Sequence, residues 1–256
     1  MAFEGKVVLI TGGGSGMGQL AARIMSEQGK SVAIFDVNAE GMAKTAEGYE
    51  NIHAWAVDMS DAAAVKAAVV EVEAQLGPVD RLYNAAAIMP FGALLDMDAK
   101  ATMRMMDINY GGLVNITHAV LPGMVERRRG DFISFASVAG LIPTMLTGAY
   151  SASKAATAFY TEILYHENIQ SGVRFACVCP PPVATPLLQQ GRDTVWPKML
   201  DQSKTIEPKE VLQAIERDLD KGVFWVFPNS QARLGSRMRR FLPGLVWKQC
   251  HTVEGR

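Results

Sequence analysis

Tyr150-Ser-Ala-Ser-Lys154 places a phenol and an ammonium four residues apart. On a helix, positions i and i+4 share a face. A free phenol ionises near pH 10, and a cation beside it favours the phenolate and lowers that value. A shift of roughly two units corresponds to about 2.7 kcal/mol, within reach of a partly desolvated cation. The pair therefore reads as an acid/base that trades a proton near neutral pH. A second stretch, TGGGSGMG from Thr11 to Gly18, carries five glycines in eight residues between the apolar run VVLI and an amphipathic segment. Gly12 can turn sharply, Gly16 can admit a pyrophosphate to the backbone, and Gly18 can let a helix pack close, with free N–H groups at the helix start facing phosphate. A glycine turn also serves packing alone, and by itself the motif leaves both readings open. Asp36 closes the next apolar run, 20 residues beyond Gly16. A carboxylate there accepts hydrogen bonds from an adenosine ribose and repels a 2′-phosphate. No Arg or Lys flanks it, so NAD is expected rather than NADP; a solvated loop aspartate is the plain alternative.

Short β-branched runs recur along the chain: Val7–Ile10, Ser31–Phe35, Ile52–Ala56, Arg81–Asn84, Asp131–Phe135, Arg174–Val178 and Val223–Phe227. Helical periodicity fills the gaps at Met17–Glu27, Ala39–Tyr49, Asp61–Leu76, Ala99–Arg128, Tyr150–Gln170 and Pro208–Lys221. Continuous apolar strands alternating with helices predict a parallel sheet buried on both faces. The expected fold is α/β, a Rossmann-like doubly wound parallel sheet of about seven strands with helices on both faces, in a single domain spanning 1–256. Residues 185–205, with Pro186, Gly191 and Pro197 among large apolar side chains, read as an insertion beyond a strand end, where α/β sheets bind ligands.

The chain resembles the short-chain dehydrogenase/reductase family. TGGGSGMG matches the TGxxxGxG turn, YSASK matches the YxxxK site, and the resemblance runs from Lys6 to about Pro228. It implies an NAD(H)-dependent alcohol dehydrogenase or carbonyl reductase. Tyr150 would be the acid/base, and Lys154 would also hold the nicotinamide ribose. The cofactor would carry the hydride, with the protein supplying position and field. Ser137, 13 residues before Tyr150, matches the catalytic serine that holds the substrate oxygen. Asn109 matches the asparagine that bends the fourth helix and holds a water linked to Lys154. Asp58, with Met59 beside it, matches the acid that meets the adenine amine. Singly, Ser137 could cap a turn, Asn109 could mark a helix irregularity and Asp58 could cap a helix. The resemblance also assigns cofactor contacts to Gly14, Ser15, Met17, Val37, Asn84, Ala85, Ala86, Pro180, Val183 and Thr185.

The sequence departs from the family pattern at two loops. Asn84-Ala-Ala-Ala87 stands where NNAG is common, and a left-handed backbone at Ala87 would be strained. Pro181 replaces a glycine in Cys179-Pro-Pro-Pro182-Val183, which removes an N–H and stiffens the loop facing nicotinamide.

Pocket candidates are Met89, Phe91, Val138, Leu141, Met145, Leu146, Pro182, Leu187, Leu188 and Trp196, nearly all apolar, and methionine adapts to irregular shapes. Each could equally be core. The set favours a hydrophobic secondary alcohol or ketone over a sugar. The competing class is a sensor or scaffold that binds dinucleotide without turnover. From Gln231 onward there are six Lys/Arg and one Glu. That tail is expected to pack on a subunit or on the domain itself, ahead of a peripheral membrane contact or a cover over a lipid-like substrate. The resemblance further implies a homotetramer or homodimer built on the Ala99–Arg128 and Tyr150–Gln170 helices. Net charge is −1, which points away from nucleic acid. The apolar run before the glycines is too short for a signal peptide, no stretch of 18 apolar residues exists, and the four histidines lack metal-ligand spacing. Cys177, Cys179 and Cys250 read as reduced thiols of a cytoplasmic protein.

Overall fold

A computed structural model describes residues 3–142 and 144–255. The chain begins β1 (Val7–Thr11), α1 (Gly16–Glu27), β2 (Ser31–Asp36), α2 (Ala39–Ala46), β3 (Ile52–Ala56), α3 (Ala62–Leu76) and β4 (Arg81–Asn84). It continues with α4 (Ala99–Met106), a π turn at Asp107–Gly111, α5 (Gly112–Glu126), β5 (Gly130–Phe135), a 3-10 turn at Val138–Gly140, α6 (Gly148–Glu167) and β6 (Val173–Val178). Then follow α7 (Pro186–Arg192), α8 (Lys198–Asp201), α9 (Pro208–Leu219), β7 (Trp225–Val226), α10 (Ser230–Phe241) and α11 (Pro243–Glu254). All strands are parallel, in the order β3-β2-β1-β4-β5-β6-β7. This is the expected doubly wound α/β sheet. The order reverses between β1 and β4, so the crevice that binds ligands in such sheets opens above their carboxyl ends.

Side chains alternate across the pleat. On β1, Val7 and Leu9 enter the core beneath α3, α5 and α6, while Val8 and Ile10 enter the core beneath α1 and α9. Both faces are dry, which is why these runs read as continuously apolar. The seventh strand is shorter than the run Val223–Phe227 suggested, because only Trp225 and Val226 pair with β6. The expected Ala99–Arg128 helix is three pieces, broken by the π turn around Asn109.

The basic tail folds as α10 and α11. Val246 and Cys250 are buried, and the Met199 amide of α8 donates to Glu254 at 2.9 Å. The tail thus packs on its own domain and backs the 185–205 segment, while Phe241, Leu242 and Leu245 stay exposed. Among the described residues, no helix is long and apolar enough to cross a membrane.

Candidate active site

Several elements converge above the switch point. The first is the turn between β1 and α1. Gly12 has φ +70°, and a Cβ there would lie 2.9 Å from the Ala86 backbone. A Cβ on Gly18 would run into the Gly12 carbonyl. The turn therefore needs glycine at both places, and α1 begins close against the strand. Asp36, at the end of β2, accepts from the amides of Gly14 and Asn38, each at 2.9 Å.

A cleft of about 240 Å³ runs along this turn. Its lining takes Gly12, Ser15, Gly16, Met17 and Gly18 from the turn, and Asp36 and Val37 from the end of β2. Asp58 and Met59 come from the end of β3, Ala85 and Ala86 from the end of β4, and Thr185 and Leu187 from the start of α7. Gly14, Asn84, Pro180, Val183, Tyr150 and Lys154 are not part of this lining. The Asn84 side chain is committed inward: it accepts from Thr11 at 2.9 Å, and Thr11 in turn accepts from the Ala86 amide at 3.1 Å. Ala87 carries no strain, since Arg128 and Leu146 are the only non-glycine residues with positive φ among the described residues.

Arg104 also lines the cleft. It lies 46 residues from Asp58 and bonds it at 2.7 Å. Asp58 thus has a cation beside it that its own stretch of the sequence does not supply. Hydrogen bonds from Arg104 and from Ser60 hold the Asp58 carboxyl down at about 2.

The second half of the site is built on α6. Tyr150, Lys154, Thr157, Ala158 and Thr161 form its buried stripe. The Lys154 ammonium lies 5.9 Å from the Tyr150 ring centroid. Its Nζ donates to the Phe135 carbonyl at 2.7 Å. Burial pushes Lys154 down to about 8. Burial also pushes Tyr150 up to about 12, against a hydrogen bond from Ser137 that favours the phenolate. The expectation of a phenol drawn towards neutrality by Lys154 is thus not met by these two side chains alone. The ammonium turns to a carbonyl instead, and desolvation of the phenol outweighs its partner.

Ser137 follows β5. Its Oγ also accepts from the Ala139 amide at 3.1 Å and so caps the 3-10 turn. On such a turn, residues i and i+3 eclipse. Val138 and Leu141 accordingly face together into the core beneath α5 and α6, while Ala139 packs on the apolar cluster that contains Tyr150. Val138 and Leu141 both stay half-exposed. Asn109 sits in the π turn. It accepts from the Ile88 amide at 2.8 Å and donates to the Ile88 carbonyl and to Ser153 Oγ, each at 3.0 Å. Ser153, which the sequence did not single out, thereby ties the π turn to α6.

Met89, Phe91, Met105, Ala149, Tyr150 and Leu188 form a buried cluster, with Leu187, Trp196 and Leu200 packed against it. Phe91 meets Tyr150 edge to face at 6.0 Å and Trp196 at 6.2 Å. The 185–205 segment is held down at two points: Gln190 accepts from the Met89 amide and Thr194 from the Phe91 amide. Leu146 sits at φ +69°, a strained position for leucine, and its carbonyl accepts from Gly92 at 2.8 Å. Met145 and Pro182 are half-buried and join none of the apolar clusters. Among the described residues, no group of three or more His, Cys, Asp or Glu side chains could hold a metal ion.

Residues 6–196 match the family profile described as short chain dehydrogenase. The chain is 38% identical over 192 residues to a 2-dehydro-3-deoxy-L-rhamnonate dehydrogenase (NAD(+)) of Sphingomonas sp., covering 73% of this chain and 76% of that one. It is 35% identical over 200 residues to a 2-(S)-hydroxypropyl-CoM dehydrogenase 3 of Xanthobacter autotrophicus, covering 75% and 78%. A short chain dehydrogenase/reductase from Burkholderia phymatum, solved in complex with NAD, superposes with a TM-score of 0.86 over 96% of both chains at 24% identity, a likeness of fold.

Proposed function

The chain belongs to the short-chain dehydrogenase/reductase family, and on that premise we propose that it interconverts a hydrophobic secondary alcohol and its ketone with NAD(H). The observation that carries this reading is the burial of Tyr150 within an apolar cluster, near enough to Ser137 for the hydroxyl to favour its phenolate and one helical turn from Lys154. A dinucleotide fits the residues present. The glycine turn leaves a cradle that a Cβ would fill, and the Asp36 carboxylate stands where it opposes a 2′-phosphate. The relative from Sphingomonas, named for NAD(+), supports the same choice.

Gly12, Ser15, Gly16, Met17 and Gly18 would hold the pyrophosphate. Asp36 and Val37 would hold the adenosine ribose, and Asp58 and Met59 the adenine. The nicotinamide end falls to Ala85, Ala86, Pro180, Val183, Thr185, Tyr150 and Lys154. The bound nicotinamide supplies the hydride acceptor or donor and, when oxidised, a positive charge. Ser137 holds the substrate oxygen by its hydroxyl. Tyr150 donates its proton to that oxygen in reduction and takes it back in oxidation. A phenol raised to about 12 is protonated at neutral pH and so has a proton to give; added positive charge nearby would ease its loss and is required for its use as a base. Lys154, at about 8, is placed to exchange protons in the working range. The Asn109 carbonyl accepts from Thr157 at 3.3 Å and keeps a second acceptor position for the water proposed to link Lys154 to solvent.

Met89, Phe91, Leu187, Leu188 and Trp196 give the substrate a pocket with few hydrogen-bonding partners. That composition favours an apolar alcohol over the sugar acid in the name of the Sphingomonas relative. Met103, Phe159 and Ile163 leave exposed apolar surface on α4 and α6, where we place the contact between copies of a homotetramer or homodimer. The reading is tested by following NADH absorbance with a panel of secondary alcohols, each offered with NAD and with NADP. It expects turnover of apolar alcohols with NAD. Turnover confined to sugar acids would overturn the substrate class. NADH binding with no turnover of any panel member, sugar acids included, would favour the sensor reading.

A further inference from the structure

We propose that Arg104 is an adenine clamp: its guanidinium closes the outer end of the cleft over the purine and locks the Asp58 carboxylate beside the purine edge. The inference rests on the dinucleotide reading above and adds to it a residue from a distant part of the chain.

Arg104 sits in the last turn of α4, just before the π turn that carries Asn109. Its Nη2 donates to Asp58 Oδ2 at 2.7 Å and its Nη1 to Ser60 Oγ at 2.6 Å. Ser60 completes a closed ring of bonds, donating to Asp58 Oδ1 from its amide at 2.9 Å and from its hydroxyl at 2.7 Å. Both carboxylate oxygens are therefore oriented before any ligand arrives, and Oδ2, with a single bond from Arg104, keeps an acceptor position. The carboxylate stays ionised throughout the physiological range. An ionised, oriented acceptor suits the 6-amino group of adenine, where guanine carries a carbonyl.

The guanidinium itself is a flat, weakly hydrated cation whose faces stack on aromatic rings. Ile108, one turn along from Arg104, lines the same cleft, as do Val37 and Met59. These apolar side chains form walls for a flat base, and Arg104 is the cation among them. An isolated surface ion pair contributes little to stability. Two half-exposed groups, 48% and 40% by side chain, have little reason to be cross-linked through Ser60 unless the cleft uses them.

The test compares a whole dinucleotide with its halves. Dissociation constants for NADH, for ADP-ribose and for the reduced nicotinamide mononucleotide are measured by calorimetry on the full chain and on Arg104→Met and Arg104→Ala. The clamp predicts about tenfold weaker NADH and ADP-ribose in both variants, in line with one lost cation–π and hydrogen-bonding group. The mononucleotide is expected unchanged. NADH affinity within twofold of the parent overturns the clamp. So does an equal loss for the mononucleotide, which would mark a general disturbance of the cleft. A parent chain that binds neither NADH nor ADP-ribose overturns the dinucleotide reading instead, a result separate from failure of the clamp.

Discussion

Arg81 and Lys154 are both buried cations, exposed by 0% and 3%, and the fold treats them in opposite ways. Arg81 lies near the amino end of β4, in register with Asp131 of β5, which is in register with Arg174 of β6. It bonds Asp131 and Glu216, each at 2.6 Å. Burial alone would push the guanidinium down; Tyr83, Asp131 and Glu216 together raise it. Lys154, near the carboxyl end of the sheet, faces a carbonyl and the Tyr150 ring but, among the described residues, forms no ion pair, and burial wins. A compensated cation at one end cements the strands. An uncompensated one at the other end is ready to lose its proton. On the proposed function, stability and chemistry fall at opposite ends of one sheet.

The comparison breaks most severely at Asp131. Asp131→Ala leaves two guanidinium groups facing each other without their shared carboxylate, and a loss of about 3–5 kcal/mol is expected in urea unfolding. Turnover per folded molecule should be kept. A loss below about 1 kcal/mol would show that the network does not hold the strands.

Lys154→Met should shift stability the other way. Moving Lys154 from 10.5 to about 8 costs about 3 kcal/mol, and the lost bond to Phe135 offsets about 1. A net gain of about 2 kcal/mol at pH 7 is expected, with turnover severely reduced. The folded chain binds fewer protons than the unfolded one between pH 8 and 10.5. The parent's stability relative to Lys154→Met should therefore climb across that window, and unfolding curves at pH 7 and 10 read it directly. A constant difference would mean that Lys154 is not desolvated.

A smaller effect is expected at the turn. Gly18→Ala drives a methyl into the Gly12 carbonyl, and NADH affinity should fall about tenfold, near 1.4 kcal/mol. Unchanged affinity would separate the glycine turn from the ligand. Asp58→Asn is the mildest in stability, under about 1 kcal/mol at pH 7, because the pair is half-exposed. Its folded value is depressed, so the contribution is present above about 3.8 and is lost as the pH falls towards 2. A parent and variant with the same acid unfolding midpoint would remove that role.

Much of the architecture was legible because it rests on local pattern. Runs such as VVLI, dry on both faces, announce strands, and Tyr150 and Lys154 are neighbours by helix geometry alone. What escaped was set by distant chain segments. Arg104 meets Asp58 across 46 residues, and nothing beside Asp36 hints at it. The half-buried packing of Val138 and Leu141 against the core follows from the turn that Ser137 caps, which composition alone does not show. The arginines of α10 masked a helix that stays polar on most of its surface. The direction of the Tyr150 shift depended on how dry its surroundings are, which a motif cannot state.

The measurement that bears most directly on the account is a paired one on Tyr150→Phe, with turnover and NADH dissociation constant determined on the same preparation. Removing only the phenolic oxygen should lower kcat at least a thousandfold while NADH binding stays within about threefold. Turnover close to that of the parent would contradict the account, because the proton would then be carried by another group.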